Sequence, residues 1–293
     1  MKRLLAILLV LAMCLPANAL AAEVHIIADE TALPAGWAEK ELFRITVIDT
    51  DRSDAMLLEC GGEKMMVDGG LGTYYRRVFK VLDDKGITEL KYLYNTHYDG
   101  DHLMGLTAIM NSGLYQVGSF LSAVREDYKD KYEYHVKAVR AARKRGIPYV
   151  QIYDGDVITL GDATLSVLRC DENWGANNRS AACLVQFGES RLFLSGDCGN
   201  QVLEYFLENR DHALLKCDIM KAMHHGINGI VQEFLDVAQP ELMFVPNKSS
   251  NVKKSPNLKQ FIEMGALFSG DGMIVMETDG TEWYVWQYPN WVD

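Results

Sequence analysis

Within six consecutive residues the chain places two histidines and two aspartates, in the run Asn95-Thr96-His97-Tyr98-Asp99-Gly100-Asp101-His102. Residues 90–94, just upstream, are apolar enough for a buried strand, and Leu103, Leu106, Ile109 and Met110, just downstream, have helical spacing. The cluster therefore sits at a strand-to-helix junction. That density of imidazole and carboxylate at a change of chain direction fits a divalent-cation site, whose donors converge from separate segments. Such a site needs further donors from the ends of other strands. Two candidates follow: Asp197 in Ser195-Gly196-Asp197, and His224-His225-Gly226 after the apolar stretch 218–223. An aspartate in a Ser-Gly-Asp turn is by itself an ordinary turn former, and a histidine pair alone is more often surface or core. Their conjunction with the first cluster gives them weight.

The rest of the chain alternates short strands with helices. Residues 43–48, 55–59 and 64–67 read as a strand meander ending at Asp68-Gly69-Gly70. A helix follows over 74–85, stopped at Gly86, and a longer polar helix spans 126–145, ended by Gly146 with Pro148 beyond. The second half supplies strands at 149–153, 157–160, 163–168, 181–187, 191–195 and 218–223, with a helix at 201–208. Helices at 231–237 and 257–264 and strands at 242–245, 274–277 and 282–286 close the chain. There is no low-complexity linker and no fixed-period repeat. Two strand-rich halves with interspersed helices predict a two-sheet sandwich covered by helices, in one domain.

Lys2 and Arg3 precede an apolar run over residues 4–15, then Pro16 and a small-residue stretch over 17–22. This is the layout of an export signal, with cleavage after Ala19 or Ala21, an uncleaved anchor being the alternative. The run is shorter than the roughly 20 residues of a bilayer span, and no second long apolar run follows. Residues 1–21 are accordingly read as a signal peptide, 22–42 as a lead-in and 43–293 as the folded domain. The mature protein is expected to be secreted or extracytoplasmic, without stable membrane association.

The chain carries 29 basic and 40 acidic residues, and loss of Lys2 and Arg3 moves the net charge from −11 to −13. That balance argues against an extensive nucleic-acid surface. One local exception is the basic series Lys129, Lys131, Lys137, Arg140, Arg143, Lys144 and Arg145, interleaved with Tyr128, Tyr132 and Tyr134. It reads either as a phosphate-tracking and stacking surface or, given Glu126, Asp127, Asp130 and Glu133 nearby, as a solvated helix face. Without Cys14, five cysteines remain, with no Cys-x-x-Cys spacing. They are expected as buried small hydrophobes, one disulfide being the alternative.

The order H-x-D-x-D-H after a strand, then S-G-D, then H-H-G, resembles the metallo-β-lactamase superfamily over about residues 43–285. Within it the chain is similar to the hydrolase domain of ComEC-type DNA-uptake proteins and their freestanding secreted relatives. Asn177-Asn178-Arg179-Ser180 resembles that subgroup's N-x-x-S element, and Lys221-Ala222-Met223-His224-His225-Gly226 its H-H-G turn. Asp68-Gly69-Gly70 resembles the superfamily's early D-x-G turn, whose aspartate is structural. Three departures stand out. Asp99 occupies a position where a second histidine is commoner, Asn177 or Asn178 stands where other members place a histidine, and residues 252–256 hold no late histidine.

The resemblance implies an α+β fold, a four-layer αβ/βα sandwich of two mixed β-sheets flanked by helices. It also implies one or two divalent metal ions, Zn²⁺ or Mn²⁺. Asp101 and His102 would hold one ion, His97 and Asp99 would help to hold the other, and Asp197 would bridge. One of His224 and His225 would complete the shell, and the other would serve as an acid or substrate contact. Asp68, Asn177 and Ser180 are expected beside these ligands, as supporting or substrate-facing groups. Three carboxylates harden such a site towards Mn²⁺ or Mg²⁺. The implied activity is metal-dependent hydrolysis with a metal-activated water, Asp101, His224 and His225 being the catalytic groups. A phosphodiester is the expected substrate, either a small molecule or single-stranded nucleic acid. The alternatives are an ester or lactone hydrolase with the same site, or a binding module that keeps the fold with weakened catalysis. The histidine pattern departs from that of β-lactamases themselves, so a β-lactam is not the expected substrate.

Overall fold

The computed structural model describes residues 22–125, 132–172, 174–175 and 177–288. Short apolar runs separated by polar turns form sixteen strands there. The first seven are β1 (Glu23–Ile26), β2 (Phe43–Val47), β3 (Ala55–Cys60), β4 (Glu63–Gly69), β5 (Glu89–Asn95), β6 (Gln116–Ser122) and β7 (Tyr149–Gln151). They are followed by β8 (Val157–Leu160), β9 (Ala163–Leu168), β10 (Ala182–Phe187), β11 (Ser190–Leu194), β12 (Ile219–Lys221), β13 (Leu242–Val245) and β14 (Leu267–Phe268). The last two, β15 (Ile274–Thr278) and β16 (Glu282–Gln287), return to the first sheet, whose order is β1-β16-β15-β2-β3-β4-β5-β6-β7. The second sheet runs β14-β13-β12-β11-β10-β9-β8.

The helices are α1 (Tyr75–Asp84), α2 (Gly100–Ser112), α3 (Glu133–Arg145), α4 (Asn200–Asn209), α5 (Gln232–Ala238) and α6 (Leu258–Glu263). Side chains on a strand alternate between faces, so each sheet serves two apolar layers. In β4, Met65 and Val67 join Leu58, Leu165, Val185 and Phe244 between the sheets. Met66, facing the other way, joins Leu93 and Phe120 against Val78, Leu82, Leu103 and Ala138 of α1, α2 and α3. On the far side Leu184, Phe193 and Met220 pack against Val202, Phe206, Phe234 and Phe261 of α4, α5 and α6. The result is the expected α+β sandwich of four layers.

Three strands lie where the sequence pattern was silent. β6 contains Gly118 and Ser119 and is fully buried only from Phe120 onward, so it shows neither alternation nor an unbroken apolar run. β14 has only two residues. β1 lies in the expected lead-in and pairs in parallel with β16, Glu23 opposite Glu282. Trp37 of the same segment is buried, its Nε1 donating to Glu277 Oε2 at 2.9 Å, so the lead-in is knitted into the first sheet. Residues 1–21, expected as a signal peptide, and residues 126–131, with Glu126, Asp127, Tyr128, Lys129, Asp130 and Lys131, lie outside the described residues. Cys60, Cys170, Cys183, Cys198 and Cys217 are all buried and unbonded. Among the described residues no helix is long and apolar enough to cross a membrane.

Strand direction decides where the chemistry collects. β4, β5, β6 and β7 run parallel, as do β11, β12, β13 and β14. The loops after β4, β5, β11, β12 and β13 meet at one rim of the sandwich. β3 is antiparallel to β4, so Asp54, at its beginning, arrives at the same rim.

Candidate metal centre

The rim is assembled from a close approach of α2 to the end of β4. A Cβ on Gly105 would lie 1.7 Å from the Gly69 carbonyl oxygen, and the Gly105 amide donates to Gly70 O at 3.1 Å. Only two glycines allow this contact, and it brings His102 of α2 onto Asp68. Asp68 has a left-handed backbone, with φ of 53°. Its carboxylate accepts from the Thr96 amide at 2.9 Å, the Thr96 hydroxyl at 2.6 Å and the Asn95 side chain at 3.2 Å, and stands 2.7 Å from His102 Nδ1. With Nδ1 engaged by a carboxylate, the opposite nitrogen of His102 is aimed into the rim.

That nitrogen meets Asp197. From Asp197 Oδ2, His102 Nε2 is 3.2 Å away, His225 Nε2 3.3 Å, His97 Nε2 3.8 Å and His224 Nε2 3.9 Å. Asp101 Oδ2 lies 3.4 Å from His225 Nε2, and Asp99 Oδ2 lies 3.7 Å from His97 Nε2. Asp101 thus stands beside His225 and Asp99 beside His97, with Asp197 within 3.9 Å of all four imidazoles. Ser180 Oγ accepts from the Asp197 amide at 3.0 Å and lies 3.4 Å from His97 Nδ1. Asn177 Nδ2 lies 3.0 Å from His224 Nε2.

The histidine pair owes its aim to backbone strain. His224 and His225 both have positive φ, 46° and 53°, followed by Gly226 at 72°. Left-handed non-glycine residues cost about 1–3 kcal/mol each and persist where the surroundings impose them. Here Asn247 Nδ2 donates to His225 O at 2.9 Å, and Lys221 Nζ donates to Ala222 O at 3.1 Å and to Gly196 O at 2.7 Å. Behind His225, Asp54 Oδ1 lies 3.1 Å from Nδ1, and Asp54 Oδ2 forms a fully buried ion pair with Lys221 Nζ at 2.9 Å.

Burial and charge fit a cation. His97 Nε2, His102 Nε2, His225 Nε2 and Asp197 Oδ1 are buried without a hydrogen-bond partner. Orphaned polar atoms of this kind cost about 1–3 kcal/mol each; the three imidazole nitrogens converge on Asp197 Oδ2, while Asp197 Oδ1 lies 3.9 Å from Lys221 Nζ. Among the described residues, Asp54, His102, Asp197 and His225 each offer a ligand-type atom within 4.8 Å of the others. Asp54, however, faces the Nδ1 side of His225, so it orients the ring while Asp197 and Asp101 face Nε2.

The protonation pattern carries the same message. Burial alone would lower His225, but Asp197, Asp54 and Asp101 raise it to about 10. Burial likewise opposes protonation of His102, and Asp197 and Asp68 raise it well above the usual imidazole value. Burial would raise Asp197, yet His225 and His102 hold it well below the carboxylate range. Without a metal, protons supply the positive charge that this rim demands. His224 differs: burial lowers its pKa, and Asp197 only partly opposes this. The open edge of the rim is formed by Asp99, Asp101 and His224, with side chains 38%, 29% and 22% exposed.

The profile of the metallo-β-lactamase superfamily matches residues 48–242. The chain belongs to the metallo-β-lactamase superfamily. No curated protein matches it significantly in sequence. Among solved structures of the superfamily fold, it is similar to the metallo-β-lactamase fold protein YhfI from Bacillus subtilis. Identity is 13%, the match covers 78% of this chain and 96% of that one, and the TM-score is 0.50. A mutant of CmlA β-hydroxylase gives 13% identity, 77% and 52% coverage and a TM-score of 0.50. CmlA itself, a diiron β-hydroxylase from Streptomyces venezuelae, gives 15%, 78%, 52% and 0.47. The chain spans about half the length of the CmlA proteins.

Within this superfamily frame, His97, Asp99, Asp101, His102, Asp197, His224 and His225 come together at one rim, with Asp68, Asn177 and Ser180 beside them. The sequence patterns assign no role to Asp54, Lys221, Thr96 or Asn247, although Lys221 and Thr96 fall within the motifs. A lysine in the apolar stretch 218–223 was the available signal for Lys221 and for an acidic partner, whereas Asp54 looks like any polar turn residue. The basic series is divided by α3. Tyr132 stacks on Tyr98 at 3.6 Å and Tyr134 lies over Gly100, but Arg143, Lys144 and Arg145 occupy the last turn, complementing the helix dipole. Eleven residues of helix separate Tyr132 from Arg143 by roughly 17 Å.

Proposed function

We propose that this protein is an exported, divalent metal-dependent hydrolase whose substrate is a phosphodiester. The observation that carries this reading is the convergence of three buried imidazole Nε2 atoms on Asp197, edged by the partly exposed Asp99 and Asp101. His97, His102, His225, Asp99, Asp101 and Asp197 would hold the metal, which when bound supplies Lewis acidity and an acidified water. Three carboxylates in that set favour a hard ion such as Mn²⁺, and the imidazoles accommodate Zn²⁺. Asp68 and Asp54 fix the ring orientations from behind. His224, kept uncharged by burial and contacted by Asn177, stands at the open edge, where it can contact the substrate or accept a proton.

Two features support the ComEC-like, phosphodiesterase form of this reading. Asp99 stands where a histidine is commoner, and the Asn177–Ser180 element contacts both Asp197 and His224. The net charge of −13 expected after signal removal favours a small or single-stranded substrate over a long duplex. Export is supported by the charged, apolar and small-residue order of the first 21 residues.

The test is a hydrolysis screen on chelator-stripped protein reloaded with Mn²⁺ or Zn²⁺. The substrates are bis(p-nitrophenyl) phosphate, a single-stranded oligonucleotide, p-nitrophenyl acetate and a chromogenic β-lactam. Metal-dependent cleavage of the phosphodiesters, lost in Asp101→Ala and Asp197→Ala, is expected. Cleavage of the ester alone would replace the substrate class, and a protein that binds metal without cleaving any of the four would be a binding module.

A further inference from the structure

The other end of the inter-sheet core holds a carboxylate whose hydrogen-bond donors are all neutral. Asp218, just before β12, is 2% exposed, and its oxygens accept from three neutral donors. These are the Ala22 amide at 3.0 Å, the Arg191 amide at 2.7 Å and Trp283 Nε1 at 3.1 Å. The Arg191 guanidinium instead donates to Ala213 O. Among the described residues no lysine, arginine or histidine side chain forms an ion pair with Asp218, and the Arg191 guanidinium acts on it only from beyond ion-pair distance. A buried charge left unpaired is costly, and burial pushes this carboxyl group's pKa up. Ala22 is equally buried, packed between the sheets at the start of β1.

The sequence before Ala22 reads Ala19-Leu20-Ala21, with small residues at both positions that export processing inspects. We propose that the export signal is removed between Ala21 and Ala22, and that the α-ammonium released at Ala22 is the cation for Asp218. This rests on the export reading above and chooses between the two cleavage positions that the sequence leaves open. A signal peptidase hydrolyses the Ala21–Ala22 amide. Water's hydroxyl goes to the Ala21 carbonyl carbon, the C–N bond breaks, and the nitrogen takes up protons to become an ammonium, whose ordinary pKa is about 7.7–8.0. Before cleavage the nitrogen 3.0 Å from Asp218 is a neutral amide, and afterwards it carries charge. Because Ala22 leads into β1 of the first sheet and Asp218 into β12 of the second, the pair clamps the two sheets together. Cleavage after Ala19 would leave Leu20 and Ala21 ahead of a buried, uncharged amide.

Two measurements test this. The full chain is exported from a Gram-negative host, and the mature N-terminus is read by intact mass. A start at Ala22 is expected. A start at Leu20 overturns the inference and leaves export standing, whereas an unprocessed chain overturns both. Independently, proteins starting at Ala22 and at Leu20 are compared by thermal unfolding, each with and without Asp218→Asn. The Ala22 start should melt at least about 3 °C higher, and the difference should vanish in Asp218→Asn. Equal melting of the two starts, or a difference that survives Asp218→Asn, overturns the ion pair. Metal binding serves as a separate readout, so failure here is distinguishable from failure of the hydrolase reading.

Discussion

Asp54 approaches His225 from behind: its Oδ1 lies 3.1 Å from Nδ1, on the ring edge opposite the nitrogen that faces Asp197. The carboxylate therefore fixes which nitrogen of His225 is presented to a metal. Outer contacts of this kind are worth about 10–100-fold in metal affinity. Asp54→Asn should weaken Mn²⁺ or Zn²⁺ binding by about that factor while the circular dichroism spectrum is unchanged. Competition against a chromophoric chelator measures it, and wild-type affinity in the variant would remove Asp54 from the centre.

Lys221 and Asp54 are both fully buried and 2.9 Å apart. Taking away one partner of such a pair leaves the other charged in the core, at a cost of about 3–5 kcal/mol. Lys221→Met should lose stability on that scale in urea unfolding. Adding Asp54→Leu should recover much of the loss, because no uncompensated charge remains, yet metal affinity should stay low. If the double variant is no more stable than Lys221→Met, the buried pair is not the origin of the loss.

Gly105 is the contact through which α2 reaches the end of β4. A methyl group there would overlap the Gly69 backbone, which cannot retreat without moving Asp68. Gly105→Ala should therefore destabilise the protein by about 1–3 kcal/mol, as overpacking does, and should also weaken metal binding by displacing His102. Thermal unfolding with and without metal separates the two effects. A variant with normal stability and normal affinity would show that the close approach is dispensable.

The metal-free protein should be sensitive to alkali. His225 is raised to about 10 from an ordinary 6.5, so protonation of the folded state contributes stability. That contribution is complete below about pH 6.5 and disappears as pH rises through about 10. Chelator-treated protein should thus lose melting temperature across this window. A bound divalent cation should suppress the loss, and affinity should rise with pH because the ligands must be deprotonated. Melting curves at several pH values, with and without Mn²⁺, measure both trends. A flat profile in the metal-free protein would mean that His225 does not carry the compensating charge.

Much of this centre was legible in the sequence because its ligands sit in short clusters immediately after apolar strands. The run from His97 to His102 and the pair His224-His225 declare both their chemistry and their place at strand ends. Asp197 gained meaning only in that company. What stayed hidden depends on three-dimensional approach. Asp54 becomes special because β3 is antiparallel to β4 and delivers it behind His225. Thr96 matters because Asp68 turns back onto it through a left-handed backbone. In the fold, β6 was obscured by Gly118 and Ser119, while β1 depends on pairing with β16 far along the chain, which no local pattern reports.

The central claim is that Asp197 organises a divalent-metal site. The most direct measurement is calorimetric titration of Mn²⁺ into chelator-stripped protein, wild type against Asp197→Ala. The wild type should bind at least one equivalent, and Asp197→Ala should bind none at the same site while remaining folded. Absence of binding by the folded wild type, or equal binding by the variant, would contradict the account.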